Sequence, residues 1–201
     1  MSRHVESVPP DYFANLYASN PDPWGFATSS YEHEKYEATL ASLPRKNYDA
    51  ALEIGCSIGL LTQRLAQRCT NLLALDVAPS ALETAKARCA GLTHVRFEQA
   101  AIPAQWPAGR FDLIVSSEVL YFLSYDDIAA SVALMRAALE PGGHLLLVHW
   151  LGETHYPLPG DEAAESVIER GDGWLDVVHQ ERMPLYRIDV LQARPGSSET
   201  R

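Results

Sequence analysis

Along the chain, short apolar runs alternate with stretches whose apolar residues recur every third or fourth position. Tyr48–Ile54 (YDAALEI) closes on Gly55, the pattern of a buried strand running into a tight turn. Leu60, Leu61 and Leu65 follow at helical spacing. Asn71–Asp76 (NLLALD) reads as a second buried strand and Thr93–Gln99 as a third that alternates. Phe111–Ser117 (FDLIVSS) is a fourth, apolar enough to be central, and His144–Trp150 a fifth. Pro79–Ala90 opens a helix with Ser80 and Glu83 at capping-box spacing. Ser124–Gly143 is the clearest helix. Ser124 and Asp127 suit its start, Ile128, Val132, Met135 and Leu139 share a face, and Pro141-Gly142-Gly143 stops it. Further helices are expected at Glu32–Leu43 and Glu162–Arg170. Trp174–Met183 and Leu185–Ala193 are extended and meet at Pro184 with no helix between them.

Strands alternating with helices predict an α/β fold. The expected sheet is seven-stranded and mostly parallel, with helices on both faces and the last two strands as an antiparallel hairpin. The pattern places the core domain at 47–193, a helical cap or lid at 1–46 and a flexible tail at 194–201. In 201 residues, 47% of them hydrophobic, there is enough apolar surface for one such core.

Charge narrows the partners. Sixteen Lys and Arg against 26 Asp and Glu give a net charge of −10, with no basic cluster. A nucleic-acid backbone needs such a cluster, so the expected partner is a small molecule and not a nucleic acid. No apolar run is long enough to span a bilayer, and the first residues lack the apolar stretch of a signal peptide. The expectation is therefore a cytoplasmic protein with no membrane partner, monomeric or homodimeric. Cys56, Cys69 and Cys89 share no CxxC spacing, which suits reduced thiols better than a disulfide or a zinc site. His149 and His155 lack a convincing third ligand, so no metal is expected.

The loop after the first strand, Glu53-Ile54-Gly55-Cys56-Ser57-Ile58-Gly59-Leu60, carries the candidate chemistry. A nicotinamide-type G-x-G-x-x-G would fall on Gly55, Ser57 and Leu60, and two of the three positions fail. The lysine of a P-loop is missing too. What remains is a glycine turn into a helix, whose N–H groups favour a polar or anionic group. Glu53 can accept a hydrogen bond from the loop or from a ligand's ammonium. Asp76 ends the second strand about 20 residues beyond Gly55, where a carboxylate accepts both hydroxyls of a ribose. Its competing reading, a cap for the next helix, is weakened because Ser80 offers that cap. Small residues from Glu98 to Pro103 leave room for a flat heterocycle read by backbone N–H groups. Ser117, Glu118 and Tyr121 follow the fourth strand, toward the same crevice.

Taken in order, LEIGCSIG, LALDVAP, EQAAIP, FDLIVSSEVLYFL and LEPGGHLLL resemble the motifs of class I S-adenosylmethionine-dependent methyltransferases, over about Tyr48–Trp150. Within that superfamily the chain is similar to the rhizobial nodulation N-methyltransferases (NodS-like). They pair a GC-x-x-G loop with an EVLY segment and carry an N-terminal DPW…YE…KY, matched by Asp22-Pro23-Trp24, Tyr31-Glu32 and Lys35-Tyr36. The resemblance implies a Rossmann-like methyltransferase sheet and S-adenosylmethionine as cofactor, leaving as S-adenosylhomocysteine. It implies cofactor contacts at Gly55, Cys56, Gly59, Asp76, Ala100, Ala101, Ile102 and Glu118. Tyr36, Glu53, Ser57, Leu60, Val77 and Ser117 complete the candidate set. The segment after Trp150, LGETHYPLPGDEAAE, departs from the family, so the acceptor does not carry over.

Methyl transfer is an in-line displacement governed by positioning, and it needs a base only when the acceptor must lose a proton. The catalytic candidates are Glu118, to orient or deprotonate an ammonium, Tyr121 as a hydrogen-bonding partner, and His149 as a base. Trp24, Tyr31, Tyr121, His149 and Trp150 are the candidate acceptor contacts, since aromatic faces attract a sulfonium or an amine. Trp24, Phe26, Tyr31 and Tyr36 also fit a lid that orders on cofactor binding. The leading expectation is methylation of a small amine such as an amino sugar or oligosaccharide. The alternatives are an O-methyltransferase of sugars or natural products with His149 as base, and a non-catalytic cofactor-binding subunit.

Overall fold

A computed structural model describes residues 5–196, so 1–4 of the expected cap and 197–201 of the expected tail lie outside the described residues. Its strands are β1 (Tyr48–Ile54), β2 (Cys69–Asp76), β3 (Val95–Gln99), β4 (Phe111–Ser117), β5 (Leu139–Trp150), β6 (Leu175–Arg182) and β7 (Tyr186–Ala193). They form one seven-stranded, mostly parallel sheet in the order β3-β2-β1-β4-β5-β7-β6. The helices are α1 (Pro10–Ser19), α2 (Ser30–Ala41), α3 (Leu60–Leu65), α4 (Pro79–Arg88), α5 (Tyr125–Ala138) and α6 (Gly160–Gly171). By its contacts the chain parts into two compact units, Pro9–Ala101 and the segment from Ile102 onward joined by the residues up to Val8.

In Pro9–Ala101, β1, β2 and β3 run parallel, with Ala51 opposite Leu72 and Leu72 opposite Val95. Their apolar runs are buried from Leu72 to Leu75 and from Ala51 to Ile54, the burial on both faces that continuous apolar strands require. Two elements differ from the sequence pattern. The first is α1, whose Pro10 occupies a first-turn position where a missing N–H costs nothing. The second is the start of α4, where Ala78 is the N-cap and no side chain caps the helix. Ser80 therefore lies inside the first turn, and the expected capping box with Glu83 does not form. Pro79 starts the helix two residues too early for it.

In the unit from Ile102, β4 and β5 run parallel, while β5–β7 and β6–β7 are antiparallel, giving the hairpin read at Pro184. The Leu145–Val148 run of β5 is wholly buried. Ser124 caps α5 by accepting from the Asp127 N–H at 3.2 Å. The helix stops at Ala138, before the Pro-Gly-Gly that was expected to end it, because Leu139 already pairs with Phe111 as the start of β5. Pro141-Gly142-Gly143 sits within the strand beside an irregularity in the β4–β5 register. At the other end of β5, α6 begins against the strand. A Cβ on Gly160 would lie 1.9 Å from the Trp150 carbonyl oxygen, so only glycine admits this approach.

Candidate functional site

The glycine turn, in Pro9–Ala101, is built by backbone bonds to β2. The Gly55 and Cys56 N–H groups both donate to the Leu75 carbonyl at 2.8 Å. Three residues then adopt left-handed backbone, Gly55 at φ 77°, Ser57 at φ 51° and Gly59 at φ 80°. At Gly59 the need for glycine is double, since a Cβ would also meet the Ala85 Cα of α4 at 2.9 Å. Ser57 holds its strained conformation without being glycine, and its bonds explain how. Its N–H donates to Asp76 Oδ2 at 2.8 Å. Its hydroxyl shares a 2.5 Å hydrogen bond with the Tyr17 hydroxyl of α1.

Asp76 is therefore a junction. Oδ2 takes the Ser57 N–H and Oδ1 takes the Ala78 N–H at 2.9 Å. Ser80 does not cap α4, and neither does Asp76, which takes the N–H of Ala78, the N-cap residue itself. Each oxygen keeps a lone pair, so two donors such as ribose hydroxyls remain compatible with these bonds. Burial raises the Asp76 carboxyl, and the backbone N–H groups of Ala78, Ser57 and Val77 pull it back down. At the end of β3 the Ala100 N–H donates to the Asp76 carbonyl at 3.0 Å, so it is not free to read a ring nitrogen as expected.

Glu53 lies behind the turn, 2% exposed, and its Oε2 has no hydrogen-bond partner among the described residues. Burial pushes its carboxyl up to about 7, Thr62 draws it down, and the charge of Asp76 adds to the rise. Cys56 is buried, and its thiol is pushed well up by burial and by the Asp76 and Glu53 carboxylates. Leu60 is buried at the first position of α3, and Val77 is half-buried.

The N-terminal motif folds as a closed turn within the same unit. Asp22 accepts the Phe26 and Ala27 N–H groups at 2.8 and 2.9 Å. Trp24 stacks on Phe26 and meets the Tyr17 ring edge-on with centroids 5.6 Å apart. Tyr36 is buried beneath the Arg64 guanidinium. Tyr31 faces the Lys35 ammonium, which pairs with Glu32 at 3.0 Å. The pattern of the sequence missed Tyr17. Its signal was a tyrosine on an amphipathic helix, indistinguishable from core until the Ser57 contact is known.

A second cluster lies in the unit from Ile102. Glu118 follows β4 with left-handed backbone, φ 59°. Its N–H donates to the Val148 carbonyl and its Oε2 accepts the Trp150 N–H, both at 2.8 Å, so the side chain clasps the end of β5. Ser117 ends β4 half-buried, and Ile102 is half-buried. Tyr121 is buried, stacked on Tyr156 and edge-on to His149 at 5.9 Å. His149 is 0% exposed. Tyr156, from the segment after Trp150, also packs on Phe122 at 4.4 Å, and the Leu158 N–H donates to the Tyr121 carbonyl.

The sequence model of the nodulation protein S (NodS) family matches residues 15–182. Nodulation protein S of Bradyrhizobium diazoefficiens is 38% identical over 128 residues, which are 62% of this chain and 61% of that one. The chain thus spans less than two thirds of that curated relative. A solved putative methyltransferase from Pseudomonas syringae is 36% identical with a TM-score of 0.73, covering 82% of this chain and 99% of that chain. The N-methyltransferase NodS of Bradyrhizobium japonicum, solved with S-adenosyl-L-homocysteine, is 26% identical with a TM-score of 0.81, covering 92% and 98%. On the match over most of its length, this chain belongs to the nodulation protein S family.

Proposed function

We propose that the chain is an S-adenosylmethionine-dependent methyltransferase acting on a small amine, such as an amino sugar or an oligosaccharide carrying one. The observation that carries the reading is the Asp76 carboxylate, fixed by the Ser57 and Ala78 N–H groups with acceptor capacity to spare for a ribose. The same unit fits the rest of such a cofactor. Gly55, Cys56, Ser57, Gly59 and Leu60 form the turn, and Glu53 keeps a buried oxygen free for an ammonium. Val77, Ala100 and Ala101 follow β2 and β3, and Tyr36 stands on α2. The relatives named as N-methyltransferases support both the cofactor and the amine.

When bound, S-adenosylmethionine supplies an electrophilic methyl group. The residues of this chain have the remaining tasks. Asp76 orients a ribose, Glu53 neutralises a cationic head group, and the left-handed backbone at Gly55, Ser57 and Gly59 lets the chain approach a ligand closely. In the unit from Ile102, Ile102, Ser117 and Glu118 stay as contact candidates, Glu118 and Tyr121 as acceptor-positioning groups, and Trp150 beside them. An amine needs only to arrive uncharged and aligned, which suits a cluster without an exposed base. His149 has no exposed surface, so the O-methyltransferase reading with His149 as base is the weaker one. Trp24 and Tyr31, in the N-terminal segment before residue 47, are assigned to its role as a cap.

The test is a calorimetric titration with S-adenosylmethionine and S-adenosylhomocysteine on wild type and Asp76→Ala, followed by an acceptor panel starting with amino sugars. Micromolar binding, about 8 kcal/mol, is expected to weaken about a hundredfold in the variant, as for loss of a charged hydrogen-bonding group. Absence of binding to wild type would overturn the reading. Binding without transfer to any acceptor would favour the non-catalytic subunit.

A further inference from the structure

Ser57 occupies a left-handed conformation that non-glycine residues adopt only when held there, and two bonds hold it. One, from its N–H to Asp76 Oδ2, is local to the turn. The other reaches out of the turn to α1, where the hydroxyl of Tyr17 meets the Ser57 hydroxyl at 2.5 Å. Tyr17 is 4% exposed, and its phenol is pushed up by burial and by the Asp76 charge, so it stays protonated and able to donate. Its ring is fixed by Trp24, itself stacked on Phe26 in the turn that Asp22 closes. A continuous series thus runs from the DPW turn through Tyr17 and Ser57 to the Asp76 carboxylate.

We infer that Tyr17 is a positioning residue for the cofactor. Its hydroxyl holds Ser57 in the conformation that aims the Ser57 N–H at Asp76, and so presets the carboxylate for a ribose. The inference rests on the cofactor reading proposed above. It gives the DPW motif a physical task, to hold the Tyr17 ring in place. It also explains why a non-glycine residue stands at a left-handed position: Ser57 supplies a hydroxyl that glycine lacks.

The test is a double-mutant cycle on the full chain, with S-adenosylhomocysteine as the titrant. Tyr17→Phe keeps the ring and removes the hydroxyl, and Ser57→Ala removes the partner from the other side. Each is expected to weaken binding about tenfold, the scale of one buried hydrogen bond. The double variant is expected to be no weaker than either single one, because both remove the same bond. The unliganded Tyr17→Phe chain should melt slightly lower than wild type, since the bond is present without ligand, and its rise at saturating ligand should be smaller as well. A purely structural tyrosine would lower the unliganded melting temperature and leave affinity unchanged. Wild-type affinity in Tyr17→Phe, or additive losses in the double variant, would overturn the inference. If Tyr17→Phe does not fold, wild-type affinity in Ser57→Ala would overturn it equally. Failure of the wild-type chain to bind the titrant would remove the cofactor reading and this inference together.

Discussion

Single residues around the glycine turn carry more than one interaction. Asp76 joins two loops and keeps lone pairs, so its structural role leaves room for the binding role proposed above. Glu53 shows the cost of burying a carboxyl. Its carboxyl is raised from 4.5 to about 7 by burial, so between those values the folded chain keeps a proton that the unfolded chain has released. The stability from this group is complete below about pH 4.5 and is lost as pH rises through 7. The loss is on the order of 3 kcal/mol. In the unliganded chain, Glu53→Gln should therefore gain stability relative to wild type as pH rises from 5 to 8, measured by denaturant midpoints. A pH-independent difference would show that Glu53 titrates normally.

Among the elements, two are joined closely to their neighbours, one by a contact with no room for a methyl group and one by a hydrogen bond. The start of α6 lies on the end of β5, where a Gly160 Cβ would sit 1.9 Å from the Trp150 carbonyl oxygen. Gly160→Ala should cost about 3 kcal/mol, read as a lower chemical-denaturation midpoint, because the helix must move off the strand. α1 is the other, tied through Tyr17 to the glycine turn. If the segment carrying α1 and the DPW turn is a lid that orders with the cofactor, S-adenosylhomocysteine should slow proteolytic cleavage near Gly25 several-fold. Gly25 is the natural site, with left-handed backbone and nothing within 4 Å of where a Cβ would stand. Cleavage indifferent to ligand would mean that the segment is a fixed cap.

For the molecule as a whole, the question is the reaction class. Among the described residues no helix is long and apolar enough to cross a membrane. The fully buried His149 packs with Tyr121, and Tyr121 with Tyr156, so the aromatic cluster reads as a wall and not as a source of a base. His149→Ala should then cost methyl transfer less than tenfold in kcat, through loosened packing. A near-complete loss, with affinity for S-adenosylhomocysteine kept, would reinstate O-methylation with His149 as base.

Most of this architecture was legible along the chain. Among the described residues, apolar runs and helical spacing marked the seven strands and five of the six α-helices, since burial on both faces of a central strand demands such runs whatever lies around them. The glycine turn and Asp76 were legible for the same reason: left-handed backbone and a carboxylate at a strand end are local requirements written in single residue types. The partners of those groups were not legible. That Tyr17 meets Ser57, that Asp76 holds the Ser57 N–H, and that His149 is sealed beneath Tyr121 depend on residues far apart in sequence. A pattern of apolar and polar positions gives the face a side chain occupies, whereas its hydrogen-bond partner is set by how the elements pack.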